Sequence, residues 1–271
     1  MKTLKDHTIL YDGECPMCNL YTKAFVNSGM LDQQGRKKYQ EMPEAYRCNV
    51  DHKRAMDEIA LVNSKTGEVS YGIQSLFKII SHAFPAFKPL FGLRPFAWLM
   101  DKFYKFISYN RRVIMPSKHA DPALEPSFNR SYRLLYIISS LVLTAFILNS
   151  YSSHMSFLPA TNMTRELAIC GGQIFWQLGI LRLMGISKGW DYTGNLLTIS
   201  LTGGIALALI QGLLSWSVPV NDLVYGGLFM LVVALMLVEH IRRTSILGLS
   251  WILSLSWVAY RIIILLIIIN L

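Results

Sequence analysis

This sequence has little charge for its length. Charged residues occupy 16% of its 271 positions, whereas soluble domains usually carry about 25%. No low-complexity tract is present and aromatic residues make up 12%, which excludes a disordered chain, a collagen and a coiled coil. The four cysteines are too few and too unevenly spaced for a disulfide-stapled secreted scaffold.

The charge that is present is unevenly divided along the chain. Residues 1–118 contain 18 Lys and Arg against 11 Asp and Glu, whereas residues 119–271 contain 8 against 6. The first part therefore has the composition of a basic soluble domain, and the second that of a helical membrane domain. We predict a domain over residues 1–118, a linker over residues 119–131 with Pro122 and Pro126, and an all-α membrane domain over residues 132–271.

Long uncharged runs mark the candidate membrane helices. A helical span needs about 20 mainly apolar residues, and we predict five spans, over residues 132–150, 167–186, 194–216, 223–240 and 246–269. The second span is the weakest of the five because it contains Gln173 and Gln177. Five spans place Arg182, Lys188, Arg242 and Arg243 on the same side as the N-terminal domain, as the positive-inside rule requires. We therefore predict an integral membrane protein with a cytoplasmic N-terminal domain and its C-terminus outside.

The N-terminal residues agree with a cytoplasmic location of the first domain. They show no long hydrophobic stretch and no small-residue cleavage site, so we expect no signal peptide. An aromatic and basic segment over residues 91–107 is amphipathic. It is predicted either to lie on a membrane lipid surface or to pack against its own domain.

Polar groups within the spans are candidate functional positions because burying them in a bilayer is costly. Gln173, Gln177 and Arg261 are the main candidates, and residues 245–260 and 262–271 around Arg261 are uncharged. Arg261 is predicted to pair with another span or to line a quinone, ion or lipid headgroup site. The alternative is a shifted helix that brings Arg261 to the outer interface. Glu239 and His240 are expected to reach the inner surface.

The most informative segment is Thr-Ile-Leu-Tyr-Asp-Gly-Glu-Cys-Pro-Met-Cys, residues 8–18. It predicts a buried strand, a turn at Asp12 and Gly13, and a helix with Cys15 at its N-cap and Pro16 at its first position. The free N–H groups of a helix N-terminus stabilise a thiolate, which here would be Cys15. Cys18 lies one turn later on the same face and can resolve a mixed disulfide. Asp12 opposes the thiolate electrostatically, or takes the proton of Cys18.

The remaining elements place this segment in a fold. After the first helix we predict a strand over residues 37–41, a helix over 43–57, a hairpin of strands 58–63 and 68–71, and a helix over 73–83. Strand, helix, strand, helix, hairpin and helix is the order of an α/β thioredoxin fold of the glutaredoxin type.

With its Asp12-x-x-Cys15-x-x-Cys18 motif after an Ile-Leu-Tyr strand, the sequence resembles the DCC family of thiol–disulfide oxidoreductases. Tyr104 and the segment Tyr109-Asn110-Arg111 are similar to the close of that family's domain, so the resemblance covers about residues 6–116. It implies a thioredoxin-like fold and disulfide reductase chemistry. Thioredoxins place a proline before the third strand, whereas residues 56–59 here read Met-Asp-Glu-Ile, which leaves the docking of a substrate open.

These observations predict a membrane-anchored thiol–disulfide oxidoreductase. Cys15 would be the nucleophile and Cys18 the resolving thiol, with no cofactor beyond the dithiol, and the site would be shaped by Tyr11, Asp12, Gly13 and Pro16. The expected partners are a disulfide-bearing protein or small molecule, membrane lipid and a membrane redox partner, but not nucleic acid. No other feature of the sequence supports a quinone cofactor.

A different class of function remains open. Cys15, Cys18, Cys48 and His52 form a set of ligands adequate for tetrahedral zinc. The alternative is therefore a zinc-binding or redox-sensing regulatory domain attached to a membrane transporter or scaffold.

Overall fold

The computed structural model describes residues 2–118, 126–216 and 221–270. The chain divides into two compact units, one reaching to Tyr132 and one beginning at Arg133. Residues 119–125 of the predicted linker lie outside the described residues. The elements are β1 (His7–Tyr11), α1 (Pro16–Asn27), β2 (Arg36–Lys38), α2 (Glu44–Arg47), α3 (His52–Asp57), β3 (Ala60–Asn63), β4 (Val69–Tyr71), α4 (Gly72–Ala83), α5 (Lys88–Gly92), α6 (Arg94–Ile114), α7 (Arg130–Ser152), α8 (Met163–Leu183), α9 (Gly189–Leu214), α10 (Asp222–Ile246) and α11 (Ile252–Ile269).

Strand β1 occupies an inner position in a four-stranded sheet of order β2-β1-β3-β4. It pairs in parallel with β2 and antiparallel with β3, and β3 pairs antiparallel with β4. All five residues of β1 are buried, as expected for a strand that is covered on both faces. This mixed sheet with its helices is thioredoxin-like, so the predicted fold of the N-terminal part is confirmed.

Two predicted elements differ from the observed ones. The predicted strand over residues 37–41 is strand only to Lys38, after which a 3-10 turn covers Tyr39–Glu41. The predicted helix over residues 43–57 is divided into α2 and α3. The division arises because the Asp51 side chain accepts a hydrogen bond from the Arg54 N–H (3.0 Å) and starts a new helix as its N-cap.

Helix α6 packs against its own unit with one face and exposes apolar side chains on another. The ring centroid of Phe96 in α6 lies 6.2 Å from that of Phe77 in α4 and 6.2 Å from that of Phe91 in α5. Near the other end of α6, four residues are buried: Ser108, Asn110, Arg111 and Val113. The exposed face carries Trp98, Leu99 and Phe103, and contact of this face with a membrane surface remains a prediction.

The described residues of the second unit form helices. Among these residues, four helices, α7, α9, α10 and α11, are long and apolar enough to cross a membrane, which indicates an integral membrane protein. The prediction of five spans differs from this result at α8, because that helix carries Arg165, Glu166 and Arg182 in addition to its glutamines. The side of the membrane on which each terminus lies remains a prediction, and residues 217–220 between α9 and α10 lie outside the described part.

His240 does not reach outward at the inner end of its span. The sequence predicts that its side chain snorkels toward the surface, yet it is 1% exposed. Its ring Nε2 lies 2.9 Å from the Tyr192 hydroxyl and its Nδ1 lies 3.0 Å from the Ser254 hydroxyl. Hydrogen bonds to α9 and α11 satisfy both ring nitrogens, so the imidazole can be buried without contact to water.

Candidate redox site

The two cysteines lie where β1 runs through a turn into α1. The Cys15 N–H donates to the Asp12 carbonyl (3.1 Å), which closes the turn. Cys15 is the N-cap of α1, its Sγ accepts from the Cys18 N–H (3.3 Å), and Pro16 is the first residue of the helix. The sulfur of Cys15 therefore takes the place of the oxygen that usually caps a helix N-terminus.

The environment moves the pKa values of the two thiols in opposite directions. The pKa of Cys15 falls from 9.0 to about 7, chiefly because the Cys18 side chain hydrogen bonds to it. Burial opposes this effect, and the Cys18 N–H and the Arg111 guanidinium add to it. The pKa of Cys18 rises because of the same side-chain hydrogen bond and because of burial. Cys15 is consequently the thiol that is present as thiolate near neutral pH.

Two arginines from the end of α6 hold Asp12. Its Oδ2 lies 2.9 Å from Arg112 Nη2 and 3.6 Å from Arg111 Nη2. Its Oδ1 accepts from the Glu14 N–H (3.0 Å) and from the Gln40 amide (3.4 Å). Since the carboxylate is buried beside two cations, much of its repulsion of a Cys15 thiolate is offset.

Arg111 also ties α6 to the segment before β3. It is 5% exposed and donates to the carbonyl oxygens of Met56 (2.7 Å) and Asp57 (3.1 Å). The Ser108 hydroxyl donates to the same Asp57 carbonyl, and the Ile59 N–H donates to the Tyr104 hydroxyl (3.1 Å). Three backbone groups of residues 56–59 are thus satisfied by side chains of α6.

The predicted shaping residues all lie around the turn. The Tyr11 ring is buried, with the guanidinium carbon of Arg36 4.4 Å from its centroid. Gly13 donates its N–H to the Gln40 side-chain oxygen (3.2 Å). A Cβ at position 13 would lie 2.7 Å from Lys38 Cδ, so the absence of a side chain allows the β2 side chains to close over the turn.

A cavity of about 290 Å³ adjoins Cys18. Its wall is mostly apolar, with Ile59 and Leu76 from the domain and Met100, Phe103 and Ile107 from α6. The polar groups at its wall include Asp12, Glu58, Tyr104 and Arg111. Its volume is close to the lower limit of small-molecule sites, about 300–1,000 Å³.

The two thiols differ in their access to this cavity. Cys18 is 7% exposed and lines the cavity, whereas Cys15 is 1% exposed and does not line it. A molecule in the cavity can therefore approach Cys18 directly. Reaction at Cys15 requires a local opening of the residues that cover its sulfur.

The alternative zinc ligands are not brought together. Cys15 and Cys18 are buried, Cys48 is exposed, and the Nδ1 of His52 lies 2.6 Å from the Tyr39 hydroxyl. Within residues 2–118, 126–216 and 221–270, no three His, Cys, Asp or Glu side chains are grouped closely enough to hold a metal ion.

The polar candidates of the helical unit have different surroundings. Gln177 is fully buried; it donates to the Leu253 carbonyl (3.3 Å) and accepts from the Ser256 hydroxyl (3.1 Å), so it joins α8 to α11. Gln173 and Arg261 both line a second cavity, which lies within the helical unit. Gln177 therefore connects two helices, whereas Gln173 and Arg261 border a cavity.

Three residues near the thiols were missed as site residues by sequence reasoning: Tyr104, Arg111 and Arg112. Arg112 is 100 positions from its partner Asp12, and no local pattern predicts such a contact. The one available sign was the similarity of residues 104–111 to the close of the DCC domain.

Comparison with known proteins agrees with this geometry. Residues 9–116 match the family described as DCC1-like thiol-disulfide oxidoreductase. The match covers the last three residues of β1, the cysteine pair and α6, so the resemblance predicted for this part of the chain is confirmed. No curated protein and no solved structure matches the chain.

Proposed function

We propose that the N-terminal unit, whose residues 9–116 match the DCC1-like thiol–disulfide oxidoreductase family, reduces disulfides with Cys15 as nucleophile and Cys18 as resolving thiol. The observation that carries the proposal is the opposite shift of the two pKa values. The pKa of Cys15 is about 7, while that of Cys18 is raised. One thiol is then ready to attack, and the other keeps its proton until it is needed.

The reaction is a two-electron exchange in two steps. The Cys15 thiolate attacks one sulfur of the substrate, which breaks the substrate S–S bond, releases one thiolate and forms a mixed disulfide with Cys15. The Cys18 thiolate then attacks the Cys15 sulfur, which forms the Cys15–Cys18 disulfide and releases the second substrate thiolate. The substrate gains two electrons, and a dithiol or other two-electron donor must return the pair to its reduced form.

The environment of Cys18 favours this order. The first cause of its raised pKa is its hydrogen bond to Cys15, and the charge of Cys15 adds to it. Both contributions depend on a Cys15 thiolate, and formation of the mixed disulfide removes that charge. Cys18 therefore becomes easier to ionise at the step in which it must attack.

Asp12 has two roles in the proposal. Its bonds to Arg111 and Arg112 hold the end of α6 against the turn that carries Cys15. It also lines the same cavity as Cys18, where its carboxylate would accept the Cys18 proton, as the sequence predicts. Tyr11, Gly13 and Pro16 complete the site by fixing the turn and the first residue of α1.

The proposed substrate is a small apolar disulfide, or an apolar group of a protein disulfide. The backbone groups of residues 56–59 are engaged by Arg111, Ser108 and Tyr104, so an extended peptide could pair with them only by displacing these side chains. The apolar cavity beside Cys18 is therefore the proposed binding site for the substrate.

The helical unit is proposed to anchor this activity in the membrane. The N-terminal unit would lie in the cytoplasm, where a reductant is available, and the C-terminus would lie outside if α8 also spans the bilayer. A membrane redox partner would then re-reduce the cysteine pair.

Redox equilibration of the full chain tests the proposal. We expect a reversible two-electron couple for Cys15 and Cys18 and less than stoichiometric zinc in the same sample. A Cys15 pKa of about 7 resembles that of thioredoxin, so we expect a potential nearer thioredoxin's roughly −270 mV than DsbA's roughly −120 mV. One equivalent of zinc without a reversible couple would contradict the proposal and favour the zinc-binding alternative.

The substrate class is tested with a series of symmetrical dialkyl disulfides of increasing chain length. Burial of each additional methylene contributes roughly 0.8 kcal/mol of binding free energy. We therefore expect kcat/KM to rise about fourfold per methylene until the alkyl chain fills the cavity. In Leu76→Trp the larger side chain would occupy part of the cavity, so kcat/KM should stop increasing at a shorter alkyl chain. Leu20→Trp is the control because Leu20 is 69% exposed. Equal kcat/KM across the series would rule out the apolar cavity as the recognition site.

A further inference from the structure

The helical unit contains a cavity of about 930 Å³. Helices α7 to α11 all contribute to its wall, which consists largely of Leu, Ile, Met, Phe, Val and Gly side chains. The volume is near the upper end of the range for single small-molecule ligands, about 300–1,000 Å³. Such a cavity fits a molecule whose larger part is apolar.

Arg261 brings a charge to this apolar wall. It lies in the middle of α11, and its guanidinium carbon is 4.0 Å from the centroid of the Trp257 ring. Within the described part of the chain it forms no ion pair. The carboxylate of Glu166 also borders the cavity, but it is engaged by Arg165 (2.8 Å) and by the Thr161 hydroxyl (2.8 Å).

Neutral donors at the same wall lack partners as well. Gln173 is 6% exposed and Trp257 is 1% exposed. Their Nε2 and Nε1 atoms, together with Arg261 Nε, have no hydrogen-bond acceptor among the described residues. Buried donors and buried cations are costly unless they are paired. These three groups are donors, and the Thr144 hydroxyl at the same wall, which also lacks a partner among the described residues, can donate as well. The missing partner is therefore an acceptor, and the charge of Arg261 favours one with negative charge.

We propose that this cavity binds a long-chain carboxylate, with the carboxylate paired to Arg261 and the chain among the apolar side chains. One carboxylate neutralises the charge of Arg261, and its two oxygens match the two-donor geometry of a guanidinium. The site is separate from the cysteine pair and does not depend on the redox function.

Binding of radiolabelled palmitate to the full chain in phosphatidylcholine nanodiscs tests the proposal, with empty discs as background. We expect saturable binding of one palmitate per chain. Palmitamide, which has the same chain but no charge, should compete roughly ten- to a hundredfold more weakly. A neutral alkyl quinone should not compete. Phosphatidylglycerol should not compete either, because the proposed occupant has a single chain.

Variants separate binding from folding. Arg261→Gln should weaken palmitate binding roughly ten- to a hundredfold without lowering the thermal unfolding temperature of the ligand-free protein, because it removes a half-buried cation that forms no ion pair among the described residues. Arg182→Gln is the matched control, since Arg182 is exposed and does not line the cavity. Unchanged palmitate affinity in Arg261→Gln, equal affinity for palmitamide, or preferential binding of the quinone or of phosphatidylglycerol would overturn the proposal.

Discussion

Replacement of Cys18 by serine should stop disulfide reduction after its first step and leave the substrate attached to Cys15. The Cys15 thiolate still attacks, but no second thiol remains to release the mixed disulfide. Cys15→Ser should lower the rate to that of the reaction without protein, because the thiol with a pKa of about 7 is lost. Turnover assays and intact-protein mass spectrometry of the full chain measure both results.

The controls for this experiment concern the other thiols. Cys48 is exposed and would react with disulfide substrates, so each variant is made in a Cys48→Ala background. Cys170→Ala, which alters a cysteine of the helical unit, should leave turnover unchanged. A substrate adduct that forms on Cys18 in the Cys15→Ser variant, at the wild-type rate, would reverse the two roles. That outcome has a structural basis, since the cavity reaches Cys18 while Cys15 is covered.

The local parts of the redox site were predictable from sequence because their causes are local. Five consecutive buried residues form β1, Pro16 suits only the start of a helix, and the three-residue spacing of the cysteines fits one helical turn. The order of elements then indicated the thioredoxin-like sheet. The missed division between α2 and α3 was also local, since Asp51 is a typical N-cap residue.

The remaining parts of the site depend on contacts between distant segments. Whether the negative charge of Asp12 hinders a Cys15 thiolate depends on Arg111 and Arg112, which only the folded chain brings beside it. In the same way, His240 could be expected to reach the surface until Tyr192 and Ser254 were placed against its ring. Periodicity shows which positions are buried, but not which distant polar group meets them.

Replacement of Arg111 by methionine should both destabilise the N-terminal unit and raise the pKa of Cys15. The carbonyl oxygens of Met56 and Asp57 lose a buried charged donor, and Asp12 loses one of its cations. We expect the N-terminal unit to lose about 3–5 kcal/mol of stability, as is typical when one member of a buried ionic cluster is removed. Urea denaturation of the full chain, with the accessibility of Cys15 as the probe, measures this loss.

The same variant should change the pH dependence of the Cys15 reaction. Arg111 lowers the pKa of Cys15, although less than the Cys18 hydrogen bond does. The midpoint of the alkylation rate should therefore move upward from about pH 7 without reaching 9.0, and the rate at pH 7 should fall several-fold as the thiolate fraction declines.

Arg111→Lys distinguishes charge from hydrogen bonding and provides a test if the methionine variant does not fold. It should keep the midpoint near pH 7 because the cation remains, yet it should lose part of the stability because an ammonium cannot reproduce the geometry of the guanidinium. Arg47→Met is the matched control, since Arg47 is exposed at the end of α2. If the midpoint were the same in Arg111→Met as in wild type, Arg111 would contribute to the fold alone, and the helix N-terminus together with Cys18 would account for the reactivity of Cys15.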